Sequence, residues 1–415
     1  MARPEDNLEC YLVGGAVRDQ LLGLKVTDRD WVVVGATPEE MLSRGFFSVG
    51  KDFPVFLHPK TKEEYALARK EVKTAPGYRG FAVNSSPQVS LQEDLYRRDL
   101  SINAMAMSAQ KELIDPFGGA NDLQQRLLRH VSNAFTEDPV RILRVARFST
   151  RFASFEFLIA PETLELMRQM VEQGEADALT AERVWAELQK ALCEDRPSIF
   201  IRVLRNCGAL ERILPEIDKL FGIPQSARYH PEIDTGLHIL MVIDQAARLT
   251  PDPQVRFAAL VHDLGKAATP EKNWPRHINH EGLGVPLVNN LCNRLRVPNR
   301  YRKLAVIVCR HHLKCHRTIE LKPKTILETL NAINAFHQEE FLEQFLLCCE
   351  ADFLGRGANI DRPYPQAQRM REYFDAANSV DTTTLANSGV DGKAYGKQLS
   401  KLRLQAIERL KTEME

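Results

Sequence analysis

Asp28 and Asp30 stand two residues apart and lead into the apolar run Trp31–Val34. In an extended chain residues i and i+2 share a face, roughly 7 Å apart. The spacing therefore offers two carboxylates side by side. Hard divalent cations such as Mg²⁺ take oxygen ligands of this kind and carry phosphates with them. Upstream, the run Tyr11–Val13 ends in Gly14-Gly15, and a helical pattern from Ala16 to Leu22 carries Arg18 and Asp19. Glycines between a strand and a helix let a phosphate approach backbone N–H groups closely. Each signal alone is weak: a lone D-x-D is usually a solvated strand end, a Gly-Gly a turn, an Arg-Asp pair a surface contact. Their order reads as a site for a nucleoside triphosphate and its metal, for phosphoryl or nucleotidyl transfer.

Two further clusters carry charge in patterns that chemistry can use. Arg97-Arg98-Asp99-Leu100-Ser101-Ile102-Asn103 is a helix start capped by Asp99 on the plain reading. On the functional one, the Arg98 guanidinium forks onto two triphosphate oxygens. In Glu137-Asp138-Pro139-Val140-Arg141-Ile142-Leu143-Arg144-Val145-Ala146-Arg147, Pro139 suits a first helical turn. Asp138 and Arg141, three apart, are then neighbours on one helix face. They place an acceptor beside a donor, the complement of the amino group and ring nitrogen of cytosine and adenine. Uracil and guanine present the opposite polarity, and a mismatch leaves buried polar groups unpaired at a cost of about 1–3 kcal/mol each. Later in the chain, Val261-His262-Asp263-Leu264-Gly265-Lys266 sets an imidazole beside a carboxylate. His238, His280, His311 and Asp352 are further ligand candidates, and the several imidazoles of 309–316 leave the choice among them open. Imidazoles and carboxylates spread over the helices of one unit suit a divalent transition metal and phosphoester hydrolysis.

These residues need elements to position them. The chain has 415 residues, zero formal net charge, and room for two to four domains. Residues 126–151 nonetheless carry six arginines against Glu137 and Asp138. Eight cysteines form no C-x-x-C pair, which suits reduced thiols in the cytoplasm. The polar start MARPEDNLEC is unlike a signal peptide, and no apolar run approaches the ~20 residues that span a membrane. Short β-like runs (Tyr11–Val13, Trp31–Val34, Val55–Leu57, Tyr65–Ala68, Leu113–Ile114) alternate with helices over 8–110. The Gly/Pro/Ser-rich stretch 73–90 reads as a mobile loop. Beyond about 120 the spacing of apolar residues is helical. The fold class expected is α+β, an α/β head followed by helical units.

LVGGAVRDQLLG…DRDWVVVG, RRDLSINAMA, DPFGGANDL and EDPVRILRVARF resemble, in order, the motif series of the class II CCA-adding enzymes, bacterial tRNA nucleotidyltransferases. The histidine-rich unit resembles the HD-domain form of that family. The resemblance spans essentially the whole chain. It implies a nucleotidyltransferase head (1–118), a base-reading neck (119–180), a helical body (181–230), an HD phosphohydrolase domain (235–336) and a tail (337–415). It implies template-independent addition of CCA to the tRNA 3′ end from CTP and ATP, by a monomer or homodimer. Asp28 and Asp30 would hold Mg²⁺, with Glu64 a weak third carboxylate. Gly15, Arg18, Arg98, Arg144 and Arg147 would bind the nucleotide, Asp138 and Arg141 would read its base, and the loop 73–90 would serve the switch from C to A. In the HD domain it implies phosphatase, 2′-nucleotidase and 2′,3′-cyclic phosphodiesterase activities with Ni²⁺ or another transition metal, held by His238, His262, Asp263 and His311. Two rivals share part of the pattern: a bacterial poly(A) polymerase, and an HD phosphohydrolase whose head only senses nucleotides.

Overall fold

Alternate residues of the two apolar runs bury opposite faces of one sheet, as period-two patterning requires. Val13 and Val32 pack with Ala68, Leu95 and Ala106 on one side, and Val33 with Phe56, Tyr65 and Leu67 on the other. The computed structural model describes residues 4–49, 55–73, 81–227, 230–359, 362–383 and 392–414. The strands are β1 (Glu9–Val13), β2 (Asp30–Val34), β3 (Phe47–Val49), β4 (Val55–Leu57), β5 (Glu64–Leu67), β6 (Lys70–Lys73), β7 (Phe81–Asn84), β8 (Ala106–Met107) and β9 (Leu113–Ile114). Seven form one mixed sheet in the order β3-β4-β5-β2-β1-β8-β9, while β6 and β7 make a separate antiparallel pair. The stretch read as a loop over 73–90 thus holds a strand at 81–84, and its centre, 74–80, lies outside the described residues.

Register brings the chemistry to one end of the sheet. Val13 pairs with Asp30 across β1 and β2, so Gly14 follows directly beside the start of β2. In the parallel pairing of β2 with β5, Asp30 stands opposite Glu64. Helices α1 (Gly15–Leu21), α2 (Pro38–Ser43), α3 (Leu91–Tyr96) and α4 (Gly119–Gln125) complete the head. In the motif DPFGGANDL, the Asp115 carboxylate accepts the first two amides of α4, from Gly119 at 2.7 Å and Ala120 at 2.9 Å. After the head come α5 (Val140–Arg151), α6 (Pro161–Glu172) and α7 (Ala181–Leu192). Between α4 and α6, the strands β10 (Leu127–Leu128) and β11 (Leu158–Ile159) form a short parallel pair. α5 buries Ile142, Leu143, Val145 and Phe148, which leaves Arg141, Arg144, Arg147 and Arg151 at three- and four-residue spacing along one face.

The five segments expected from the sequence fall into two compact units. One comprises 1–187 with 202–213, joining head and neck; the other comprises 188–201 with 214–415. The expected body at 181–230 is therefore divided between them. In the second unit, helices Thr235–Leu249, Pro253–Val261, Asn299–His316 and Glu339–Leu354 pack around a buried group of histidines, and His280–Arg294 packs on the turn Leu264–Ala268. Gly265 permits that last contact: a Cβ there would run into the His280 carbonyl and the Gly284 amide.

Candidate active sites

In the first unit a cavity of about 600 Å³ is lined by nine arginines and four carboxylates. Gly14 and Gly15 form part of its wall. Gly14 has φ +67°, a backbone conformation that favours glycine, and a Cβ on it would lie 2.8 Å from Arg98 Nη1 and push that side chain aside. Arg18, from α1, is buried; its Nε donates to Asp19 at 2.8 Å and its Nη1 to Asn103 Oδ1 at 2.5 Å. Arg98 is held by Asp94 at 3.2 Å. Arg144 donates to Asp99 at 2.6 Å, and Arg147 to Glu187 at 2.5 Å. Burial alone would raise the Asp99 carboxyl, but the Arg144 guanidinium holds it well below the usual carboxylate range. Phe148 collects three guanidinium groups over its ring, with Arg147 at 4.3 Å, Arg18 at 5.1 Å and Arg144 at 5.5 Å from the centroid.

Asp30 lies on the cavity wall as the first residue of β2. Its carboxyl is pushed up by desolvation, opposed by Arg98 and reinforced by the negative charge of Asp28. Asp28 sits in the irregular segment before β2 rather than in the strand. A carboxylate raised by lost water and a like-charged neighbour is the kind that a divalent cation relieves. The two carboxylates of Asp28 and Asp30 are of the kind that suits an oxygen-seeking ion; Glu64, though opposite Asp30 in register, does not gather with them into a three-ligand group.

The expected pair of Asp138 and Arg141 takes a different form. Arg141 is buried and spends both Nη groups on backbone carbonyls, those of Ala134 and Arg97, each at 2.5 Å. Asp138 is gripped instead by Arg183 of α7, through Nη1 to Oδ1 at 2.8 Å and Nη2 to Oδ2 at 2.7 Å. Asp99, Arg183 and Glu187 were thus missed as partners. The one signal for the last two was their four-residue spacing in AERVWAELQKAL, which puts both on one face of the helix.

In the second unit His238, His262, Asp263, His280, His312 and Asp352 converge, all buried. Ligand atoms of His238, His262 and Asp263 lie within 4.8 Å of one another, as do those of His262, His312 and Asp352, and of Asp263, His280 and His312. The His262 ring sets Nδ1 against the Ala259 carbonyl at 2.7 Å, His280 against His277 O at 2.9 Å, and His312 against Val308 O at 3.1 Å. A ring that donates from Nδ1 turns a bare Nε2 inward, as a metal-binding imidazole must. His262 Nε2 and Asp263 Oδ1 are buried without a hydrogen bond. Burial would raise Asp263, but His262 and Lys266, the latter at 2.6 Å, hold it well below the usual range. An inward imidazole nitrogen without a hydrogen bond, beside ionised carboxylates, fits a transition metal. His311 is a correction: it lies outside these groups, and its neighbour His312 occupies the position. Successive helical residues point about 100° apart, so only one of the two can face the cluster.

The poly A polymerase head domain family matches residues 10–129, the family described as a probable RNA and SrmB-binding site of polymerase A matches 156–221, and the HD domain family matches 235–344. The fold and its two sites therefore define a nucleotidyltransferase joined to an HD domain. The chain is 59% identical over 405 residues to the multifunctional CCA protein of Methylococcus capsulatus, covering 97% of this chain and 95% of that one. It is 58% identical to that of Thioalkalivibrio sulfidiphilus, covering 98% and 99%. It belongs to the multifunctional CCA protein family. Among solved structures, an apo form of a CCA-adding enzyme matches with TM-score 0.67 at 22% identity, covering 97% of this chain and 88% of that one. The Thermotoga maritima enzyme complexed with tRNA matches with TM-score 0.62 at 20% identity, covering 100% and 93%. At such identities the likeness is one of fold. No helix among the described residues is long and apolar enough to cross a membrane.

Proposed function

We propose that the chain builds and repairs the 3′-terminal CCA of tRNA from CTP and ATP in the cytoplasm, and that its HD unit hydrolyses phosphoesters. The observation that carries the first part is the convergence of Asp30, the arginine cluster and Asp138 on one cavity. Arg98, Arg144 and Arg147, with Arg18 behind them, neutralise a triphosphate. Fixed in place by Asp94, Asp99 and Glu187, they need little reorganisation when it binds. Gly14 and Gly15 let it approach the backbone. Asp138 accepts the amino group common to cytosine and adenine, and the remaining N–H groups of Arg141, oriented by two carbonyls, face the ring nitrogen. The tRNA 3′-hydroxyl gives up its proton to solvent and its oxygen attacks the α-phosphorus, as the bond to pyrophosphate breaks and pyrophosphate leaves. Asp28 and Asp30 would hold Mg²⁺, which would supply positive charge for the negative charge that builds up on the attacking and departing oxygens.

In the HD unit His238, His262, Asp263 and Asp352 would hold a divalent metal, with His280 and His312 extending the set around Asp263. Ni²⁺ suits this imidazole-rich environment and would lower the pKa of a bound water. Lys266, bonded to Asp263 and Gln225, keeps a positive charge where a phosphate would sit. Simple phosphate esters, 2′-nucleotides and 2′,3′-cyclic nucleotides are its proposed substrates.

The deciding experiment supplies tRNA lacking its terminal CCA with each labelled nucleotide singly and then together. Addition of C, C and then A supports the reading. A long A tail would make the protein a poly(A) polymerase, and no incorporation would reduce the head to a sensor.

A further inference from the structure

The neighbours of Asp138 fix what its carboxylate has left to offer. Oδ1 accepts from the Val140 amide at 3.1 Å and from Arg183 Nη1 at 2.8 Å. Oδ2 accepts from Arg183 Nη2 at 2.7 Å. An ionised carboxylate has about two lone-pair positions per oxygen. Oδ1 is therefore filled by these contacts, while Oδ2 keeps one position. Asp138 and Arg183 both line the cavity. A guanidinium bonded through two parallel N–H groups sets the plane of its partner as well as its position. The arginine comes from α7, forty-five residues beyond Asp138, so the carboxylate is anchored at both ends, by its own helix start and by a second helix.

We propose that Arg183 is a positioning residue that determines nucleotide specificity. It clamps Asp138 so that the remaining lone pair of Oδ2 meets the exocyclic amino group of cytosine or adenine and opposes the carbonyl oxygen of uracil or guanine. The inference rests on the base-reading role given to Asp138 above. Without the clamp, the carboxylate turns about its Cβ–Cγ bond and loses the direction that separates an amino donor from a carbonyl acceptor. Lysine at this position keeps the charge but not the fork, so it does not restore the plane.

The test measures kcat/KM for all four nucleotides, on tRNA ending where C or A is due, with the full-length Arg183→Ala, Arg183→Lys, Asp138→Ala and Asp138→Ala/Arg183→Ala proteins. Thermal melting checks that each is folded, and Arg183→Lys carries the test if the alanine variant is not. The expected result is a fall of ~10-fold or more in the CTP/UTP and ATP/GTP ratios for both Arg183 variants, carried by loss of CTP and ATP use. The double variant should be no less selective than Asp138→Ala alone, because the two residues act as one unit. Suppose Arg183→Ala lowers all four nucleotides equally while Asp138→Ala lowers the ratios. Arg183 is then a phosphate ligand or a packing residue, and the proposal falls while base reading stands. If Asp138→Ala itself lowers all four equally, base reading fails and the clamp has no function.

Discussion

Phe148 is the apolar residue around which the arginines of the proposed triphosphate site gather. An aromatic face attracts a guanidinium by about 0.5–2 kcal/mol, and here three share one ring. Phe148→Leu keeps volume but loses that face. It should raise KM for all four nucleotides together, by a few-fold to ~10-fold, with kcat and the CTP/UTP ratio little changed; steady-state kinetics would show this. At the HD cluster the discriminating pair is His311 and His312. His312→Ala should lower hydrolysis of 2′,3′-cyclic AMP at least ~10-fold and weaken metal binding in calorimetry, while His311→Ala should keep both near the unsubstituted level. The sequence singled out His238, His262 and Asp263 because a His-Asp dipeptide and an earlier histidine form a pattern. It gave no basis for choosing between adjacent imidazoles, because facing direction is set by tertiary packing. Arg183 was unreadable for a related reason: nothing near Asp138 in the chain announces a partner on another helix.

At the scale of elements, the strands that were legible were the apolar ones. β1, β2, β4, β5 and β9 coincide with runs evident in the sequence, each a patch of Val, Ile, Leu or aromatic residues. β3, β6 and β7, by contrast, mix polar with apolar residues, and β8 is only two residues long. Pairing across a sheet, not local composition, makes such segments strands. The segment after α3 is tied to helix α5 by the ion pair of Asp99 with Arg144 and by the bond from Arg141 to the Arg97 carbonyl, and Asn103 donates to Asp99 at 3.0 Å. Because the Asp99 carboxyl is held below its ordinary value, its contribution to stability is full above the unfolded pKa of about 3.9 and is lost as pH falls through the folded value. Asp99→Asn should therefore melt below the unsubstituted protein at neutral pH, and the gap should narrow as pH drops below about 4. A gap that stays constant down to pH ~3 would assign the effect to packing rather than charge.

Across the whole molecule, two compact units each carry a candidate site for a divalent metal. The oxygen donors Asp28 and Asp30 belong to one, and the imidazole-rich set around Asp263 to the other. Asp28→Ala or Asp30→Ala should abolish C and A addition alike, on the order of 10³-fold, and leave cyclic phosphodiesterase activity in place. His262→Ala with Asp263→Ala should do the reverse. A parallel loss of both activities with a lowered melting temperature would mean that these residues only hold the fold. The arginine cavity has a last consequence. On the proposed reading Arg98, Arg144 and Arg147, gathered with six other guanidinium groups in a chain of zero net charge, take the polyphosphate tail, and that tail is also the leaving group. The grip that draws CTP or ATP in still holds pyrophosphate after the bond to the α-phosphorus has broken. The site is therefore as well made for the return journey as for the outward one. On that reading, removal of pyrophosphate from the surroundings is what keeps a tRNA end growing.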